Sequence, residues 1–226
     1  MFGFTTRFAL ICMLATVACD GDVTVSDAGP GTIPGNLSGS DSDHSDRFGS
    51  AVALSGELMA VGAPGDDSDP ADADERIPES GAVFVYERSG VAFNQVAKLK
   101  RPDADPRWGD RFGAAVALVD DLLLIGAPGA ELFDTSDETR EPSYRDSGAV
   151  YVFQGSGSSW TLVATIESPA PFIDQQFGSA VTASGDTVII GASGADLDSR
   201  DVGTVIVFHR DGTTFTVATD TTASLR

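Results

Sequence analysis

Three short motifs occur in the same order three times along the chain, and this repetition constrains the fold more than any other feature of the sequence. The first motif is a Phe-Gly pair followed by small and β-branched residues, and its copies begin 64 and 65 residues apart. The second is Gly-Ala-Pro or Gly-Ala-Ser, which begins 13 residues after the first glycine of each copy. The third starts with Gly-Ala-Val or Gly-Thr-Val and ends in an aromatic residue. Such a period is typical of proteins in which each copy folds as one supersecondary unit. The defining residues of the first two motifs are Phe48, Gly49, Gly62 and Pro64, then Phe112, Gly113, Gly126 and Pro128, then Phe177, Gly178 and Gly191.

Each copy is predicted to form four antiparallel strands, named A to D in chain order. Strand A carries the Phe-Gly motif and strand C carries the third motif. Strand B is predicted over residues 57–63, 122–127 and 187–192, and strand D over residues 91–99, 160–166 and 214–218. Only two or three residues separate strand A from strand B in each copy, which is the length of a tight hairpin turn. The chain after the N-terminal segment shows no sustained period of 3.6, so little helix is expected.

The predicted strands B and C are apolar at nearly every position, as in residues 122–125 and 188–190. A sheet with one wet face would alternate apolar and polar residues, so continuous apolar strands indicate sheets that are covered on both faces. Sheets stacked as propeller blades have this property. The prediction is therefore an all-β array of three blades, at residues 46–103, 104–168 and 169–226. Because closed propellers use about 4–8 blades, three blades make a partial or open propeller. Either further blades belong to a longer protein, or two copies pair to make six blades, or a partner covers the ends.

The Phe-Gly and Gly-Ala-Pro motifs resemble the FG-GAP repeat, which is found in the integrin α-chain propeller and in many bacterial surface proteins. The resemblance spans roughly residues 46–218. The motif residues are interpreted as architecture, because glycine permits close backbone approach and phenylalanine fills the space between blades. Integrin-type repeats often hold calcium in an Asp-rich loop between strands A and B. Here that loop is replaced by the short turns, so the resemblance assigns no calcium ligand in this chain.

Acidic residues concentrate in the long connections between strands B and C, which hold nearly half of the 34 Asp and Glu residues. In an up-and-down blade these connections emerge on the same rim as the connections from strand D to the next strand A. One rim is therefore predicted to be acidic and long-looped, which is where binding usually occurs on a rigid scaffold. Two interpretations are open: a solvated acidic surface, or a calcium-supported binding face, since closely spaced hard oxygen ligands suit calcium. The candidate calcium ligands are Asp66, Asp67, Asp69, Asp72 and Asp74.

The two tryptophans have different predicted roles. Trp160 aligns with phenylalanines in the other copies and is predicted to pack in the core. Trp108 has no equivalent, so it either caps a gap between blades or is an exposed contact residue.

The N-terminal segment is predicted to be a signal peptide rather than part of the fold. Residues 1–7 carry one positive charge, and residues 8–18 form an apolar run too short to span a bilayer. Cys19 follows a small residue, as in a bacterial lipobox, and is predicted to carry a lipid. Residues 19–45 would then be a flexible tether, and the protein a membrane-anchored lipoprotein outside the cytoplasm.

Composition and motifs narrow the function. The net charge of −20 argues against a nucleic-acid partner and against anionic membrane surfaces. Neither His44 nor His209 lies in a catalytic motif, and no metalloprotease, serine hydrolase or phosphate-loop motif is present. The preferred hypothesis is a non-enzymatic module that binds protein or glycan through the acidic rim, with the membrane contacted only through the lipid. The alternatives are a structural fragment of a larger propeller without its own ligand and a calcium-dependent adhesion module.

Overall fold

The computed structural model describes residues 36–68, 77–102, 108–131, 144–195 and 202–218. The chain divides into two units, Met1–Leu37 and Ser38–Arg226, and the strands of the described residues lie in the second. The described ranges contain strands, bridges, turns and irregular segments but no helix, in line with the prediction of little helix. Those ranges contain no helix that is long and apolar enough to cross a membrane.

Twelve strands form three separate sheets of four, and each sheet follows chain order. Every pairing between neighbouring strands within a sheet is antiparallel. We call the three sheets blades 1, 2 and 3, and the predicted four-stranded repeat is confirmed. Blade 1 consists of β1 (Ala51–Ser55), β2 (Leu58–Ala63), β3 (Ala82–Ser89) and β4 (Ala92–Leu99). Blade 2 consists of β5 (Ala115–Val119), β6 (Leu122–Ala127), β7 (Ala149–Ser156) and β8 (Ser159–Glu167). Blade 3 consists of β9 (Phe177–Ser184), β10 (Thr187–Ala192), β11 (Thr204–Asp211) and β12 (Thr214–Val217).

The first two strands of each blade are joined by a two-residue turn. One residue of each turn has a left-handed backbone, with φ of 58° at Gly56, 54° at Asp120 and 55° at Gly185. Turns of this kind match the right-handed twist of the flanking strands, and glycine or aspartate tolerates the conformation. The short turns leave no room for the calcium loop that integrin-type repeats have at this place.

Successive residues of β6 contribute to two different cores. Leu123 and Ile125 belong to a buried cluster shared with blade 1, whereas Leu122 and Leu124 belong to a cluster shared with blade 3. All four side chains are at most 1% exposed. The two faces of a strand alternate, so an apolar residue at every position means that both faces of blade 2 are covered. The predicted shielding of the middle sheet by its neighbours is confirmed.

The Phe-Gly pairs, predicted to lie in the first strand of each blade, do so only in β9 and lie just before β1 and β5 in the other two blades. Phe112 and Phe177 are fully buried. Phe112 packs on Tyr151 of its own blade with ring centroids 5.7 Å apart, and Phe177 packs on Phe208 at 6.1 Å. Trp160, as predicted, packs against the cluster between blades 1 and 2.

Neighbouring blades approach so closely that glycine is required at their contact. A Cβ atom added to Gly126 of blade 2 would lie 2.0 Å from the carbonyl oxygen of Gly178 in blade 3. Gly62 of blade 1 stands in the same relation to Gly113 of blade 2, also at 2.0 Å. The glycine of the second motif therefore faces the Phe-Gly glycine of the next blade. The three sheets form an open, propeller-like array, and none of them closes on itself.

Candidate functional site

The connections on one rim enclose a cleft of about 900 Å³. Its walls come from the segments that precede β1 and β5, the segments that follow β2 and β6, and the segments that precede β3 and β7. The two kinds of connection predicted to share a rim therefore do meet, in blades 1 and 2. The charged and aromatic lining residues are His44, Arg47, Asp67, Glu79, Trp108, Arg111, Glu131, Arg145 and Asp146.

The cleft carries both signs of charge, although the chain as a whole is strongly acidic. Three arginines, Arg47, Arg111 and Arg145, stand among four carboxylates. Arg47 forms an ion pair with Glu79. The sequence predicted an acidic rim and did not anticipate the arginines. Two of them occupy the same place in their repeats, directly before the Phe-Gly pair, and this recurrence of a polar residue beside the motif was a signal that could have found them.

Four of the lining residues have left-handed backbones that non-glycine residues rarely adopt. The φ angles are 54° at Arg47, Glu79 and Arg111 and 47° at Asp146. Such conformations cost about 1–3 kcal/mol each and persist only where the surrounding structure enforces them. Hydrogen bonds between blades supply a constraint at three of the four, Glu79, Arg111 and Asp146. The amide of Arg111 donates to the carbonyl of Glu79 at 2.8 Å. The amide of Gln176 donates to the carbonyl of Asp146 at 2.9 Å.

Contacts between blades therefore hold the backbone at three of the charged lining residues, Glu79, Arg111 and Asp146. The same conformation recurs at Gln176, the equivalent of Arg47 and Arg111 in blade 3, with φ of 56°, and Gln176 does not line the cleft, so this conformation belongs to the repeat.

Opposing influences act on the carboxyl group of Asp146, and their net effect is a raised pKa. Burial raises the pKa of its carboxyl above the ordinary value, Asp174 adds to that rise, and Arg111 and Arg145 oppose it. A ligand that brings a positive group to this point would favour the ionised carboxylate.

Trp108 is the most exposed large apolar side chain of the described residues, at 78%, and it lines the cleft. Of its two predicted roles, the structure therefore shows the exposed one. An accessible indole beside fixed charged groups can pack against a ligand surface.

Asp66, a predicted calcium ligand, is buried and forms ion pairs with two partly buried lysines. Its side chain is 2% exposed, and its two oxygens lie 2.7 Å from the ammonium groups of Lys98 and Lys100. Burial alone would raise the pKa of Asp66, but the hydrogen bonds from Lys100 and Lys98 outweigh it and hold the pKa below the ordinary value. A calcium ion at this carboxylate would have to displace two lysines. The geometry thus gives Asp66 a structural role.

Asp67 lies in a different cluster. Its carboxylate oxygen and those of Asp43 and Asp46 all lie within 4.8 Å of one another. Burial and the nearby charges of Asp66 and Asp43 raise the pKa of Asp46, although a hydrogen bond from the backbone amide of Asp43 opposes the rise. This bond, of 2.7 Å, already uses one oxygen of Asp46. The other predicted ligands, Asp69, Asp72 and Asp74, lie outside the described residues, as does Cys19.

Stacked four-stranded blades with a loop-lined cleft on one rim define a propeller-type repeat protein. A family model described as FG-GAP repeat matches residues 35–86, 93–153 and 160–208. The matches cover most of the chain and include strands of all three blades, so the protein belongs to the FG-GAP repeat family. No curated protein matches the chain. FG-GAP repeats are typical of extracellular or extracytoplasmic proteins, where they form propeller or adhesion-type modules that are generally non-enzymatic.

Proposed function

We propose that the protein is a lipid-anchored, non-enzymatic binding module outside the cytoplasm, and that it binds a protein or glycan ligand in the rim cleft. The observation that supports this most is the position of Trp108, which is exposed at the wall of a cleft lined by fixed charges. Binding surfaces are enriched in tryptophan and arginine, and few residues dominate their energy. The cleft contains both residue types.

The scaffold suits recognition because the lining residues belong to connections between rigid sheets. The hydrogen bonds from Arg111 to Glu79 and from Gln176 to Asp146 hold the cleft backbone in place. Little conformational entropy is then lost at these positions when a ligand binds. Arginine and carboxylate side chains at fixed positions can pair with hydroxyl, amide or charged groups of the ligand.

The binding role is tested with Trp108→Ala. Wild-type protein and the variant are applied to a glycan array and to envelope proteins separated from the source cell, and the affinity for each ligand found is measured by calorimetry. Truncation of a tryptophan that becomes buried under a bound ligand costs about 2 kcal/mol or more of binding free energy, so we expect affinity to fall roughly 30-fold or more. Ile173→Ala is the matched control, because Ile173 is 58% exposed and does not line the cleft.

Equal affinity of wild type and Trp108→Ala would contradict the assignment of the cleft as the binding site. Repeating the measurement with calcium and with EDTA tests the calcium-dependent alternative. Affinity that is the same in both conditions removes that alternative.

The lipid anchor is tested separately, because it depends on Cys19 and not on the cleft. Cells grown with an alkyne-labelled fatty acid should label the wild-type chain, and Cys19→Ser should abolish both the label and the detergent-phase partitioning. An unlabelled wild-type chain would contradict the proposed lipid anchor and leave the binding proposal standing.

A further inference from the structure

The contact between successive blades occurs twice within the chain, between blades 1 and 2 and between blades 2 and 3. In both, the first strand of the later blade packs on the inner strands of the earlier one. We call the side of a blade that faces the earlier blade its preceding side, and the other its following side. Blade 2 uses both sides. The preceding side of blade 1 and the following side of blade 3 have no neighbouring blade in the described part of the chain.

The preceding side of blade 1 retains the residues of the internal contact. Val116 of blade 2 is 8% exposed and Leu118 packs against the cluster shared with blade 1. The equivalent residues of blade 1, Val52 and Leu54, are each 66% exposed. Apolar side chains that are buried or partly buried in blade 2 are therefore exposed to solvent in blade 1.

The following side of blade 3 is the matching half of the same contact. Val83 of blade 1 and Val150 of blade 2 are both 0% exposed, because each faces the next blade. Their equivalent in blade 3, Val205, is 62% exposed. Its neighbours Ile189 and Val207 are only partly buried.

Glycine at position 191 fits the same contact. In blades 1 and 2 the equivalent glycines face the Phe-Gly glycine of the next blade, at a distance no Cβ could occupy. Around Gly191, the nearest atom that an added Cβ would meet is the Cβ of Ala180 in its own blade, at 3.2 Å. Blade 3 thus has a glycine at position 191 although the described residues include no following blade that would require it.

The backbone hydrogen bonds between blades are also incomplete at the two ends. The amide of Phe112 donates to the carbonyl of Ser80, and the amide of Phe177 donates to that of Ser147. The equivalent donor in blade 1 is the amide of Phe48, which has no backbone acceptor among the described residues. By the same alignment, the carbonyl of Val202 is the equivalent acceptor in blade 3.

We propose that two copies of the chain associate head to tail, with blade 3 of each copy packed on blade 1 of the other. Each copy carries both halves of a contact that it already forms twice, so the required partner surface is known from the chain itself. Head-to-tail contacts generate rings when the rotation closes, and two copies supply six blades, within the range of about 4–8 for closed propellers.

Residues 38–41 are compatible with this arrangement. They cover the outer strands of blade 1 on its preceding side, where Tyr86 donates to the carbonyl of Ser38 at 2.8 Å and Ser40 exchanges hydrogen bonds with Gln95. In blade 2 the connecting segment does the same, since Arg101 lies over the ring of Tyr151 at 5.8 Å. The inner strand β1 stays open, and it is the inner strands that form the internal contacts.

The test is the mass in solution of the full chain carrying Cys19→Ser, measured by sedimentation equilibrium. We expect twice the chain mass. Val205→Asp and Leu54→Asp should each weaken association at least about 100-fold, because each buries a charge in an apolar contact. Both sites are already exposed, so the fold should survive, which circular dichroism checks. Val91→Asp, at a residue that is 75% exposed in the turn between β3 and β4, is the control and should stay dimeric.

Mixing Val205→Asp with Leu54→Asp tests whether association is head to tail. One of the two contacts then joins an unaltered blade 3 to an unaltered blade 1, so an equimolar mixture should again form dimers. If either variant fails to fold, Gly191→Ala replaces Val205→Asp and Val52→Ser replaces Leu54→Asp. A monomeric parent chain at every concentration would overturn the proposal, as would a dimer that survives Leu54→Asp.

Discussion

Replacing Gly126 by alanine tests the close packing of neighbouring blades directly. The backbone at Gly126 is not left-handed, so alanine is compatible with its conformation. The added methyl group would lie 2.0 Å from the carbonyl oxygen of Gly178 and 3.3 Å from the Cβ of Ala115. The first of these atoms is backbone of another blade, so no side-chain rotation relieves the overlap.

The magnitude follows from the overlap. Ordinary contact requires roughly 3.4 Å or more between such atoms, so blade 3 would have to move by about 1.4 Å at its innermost strand. Overpacking of this kind costs about 1–3 kcal/mol, and a rigid backbone obstacle places Gly126→Ala at the upper end. The lower entropy of the unfolded chain offsets about 0.4–1 kcal/mol. We expect a net loss of about 2 kcal/mol, or a melting temperature lower by roughly 4–8 °C for a domain of this size.

The assay is urea unfolding followed by circular dichroism, with Gly191→Ala as the control. Gly191 is the equivalent glycine of blade 3, where the nearest atom is 3.2 Å away. Both changes are made in the Val205→Asp background, so that association of two copies does not contribute. We expect Gly191→Ala to change stability by less than about 0.5 kcal/mol. Equal effects of the two changes would refute the claim that Gly126 is held against the following blade.

Neutralising Asp66 and neutralising Asp46 should change the stability of the fold in opposite directions. Asp66→Asn removes the buried carboxylate that pairs with two partly buried lysines, so we expect it to destabilise the fold by about 3 kcal/mol at pH 7. Asp120→Asn, which removes an exposed ion pair with Arg210, should cost less than about 1 kcal/mol. Because the pKa of Asp66 is lowered in the folded state, its stabilising effect should be lost as pH falls through that pKa, and urea unfolding at several pH values measures this. The pKa of Asp46 is raised in the folded state, so its ionisation opposes folding, and Asp46→Asn should raise the melting temperature at pH 7. That gain should vanish as the pH falls and Asp46 takes up its proton, and a gain independent of pH would contradict the stated cause.

The blades could be predicted from the sequence because their determinants recur at a fixed period. Consecutive apolar residues in β6 indicated that both faces of its sheet are buried against other sheets. The equivalent strands of the other blades showed the same pattern. Two-residue turns between the first two strands could also be predicted, since glycine and aspartate mark them. Comparison of the three copies supplied the alignment that a single copy would have lacked.

The cleft could be predicted only in part. Its place on the rim followed from the up-and-down order of the strands, but the charges that line it did not. Asp66 and Asp67 are adjacent in sequence, yet the first is buried between Lys98 and Lys100 and the second lines the cleft. Lys98 lies in strand β4 and Lys100 directly after it, about thirty residues further along the chain. Composition of a loop does not reveal which of its carboxylates a distant strand will neutralise.

The measurement that tests the central claim most directly is a methyl NOE spectrum of the chain with labelled leucine, isoleucine and valine. If both faces of blade 2 are covered by its neighbours, Leu123 should show NOEs into the cluster that contains Val83 and Val85 of blade 1. Leu124, the next residue, should instead show NOEs into the cluster that contains Val188 and Ile190 of blade 3. Contacts from both leucines to one blade only, or to none, would contradict the stacked arrangement.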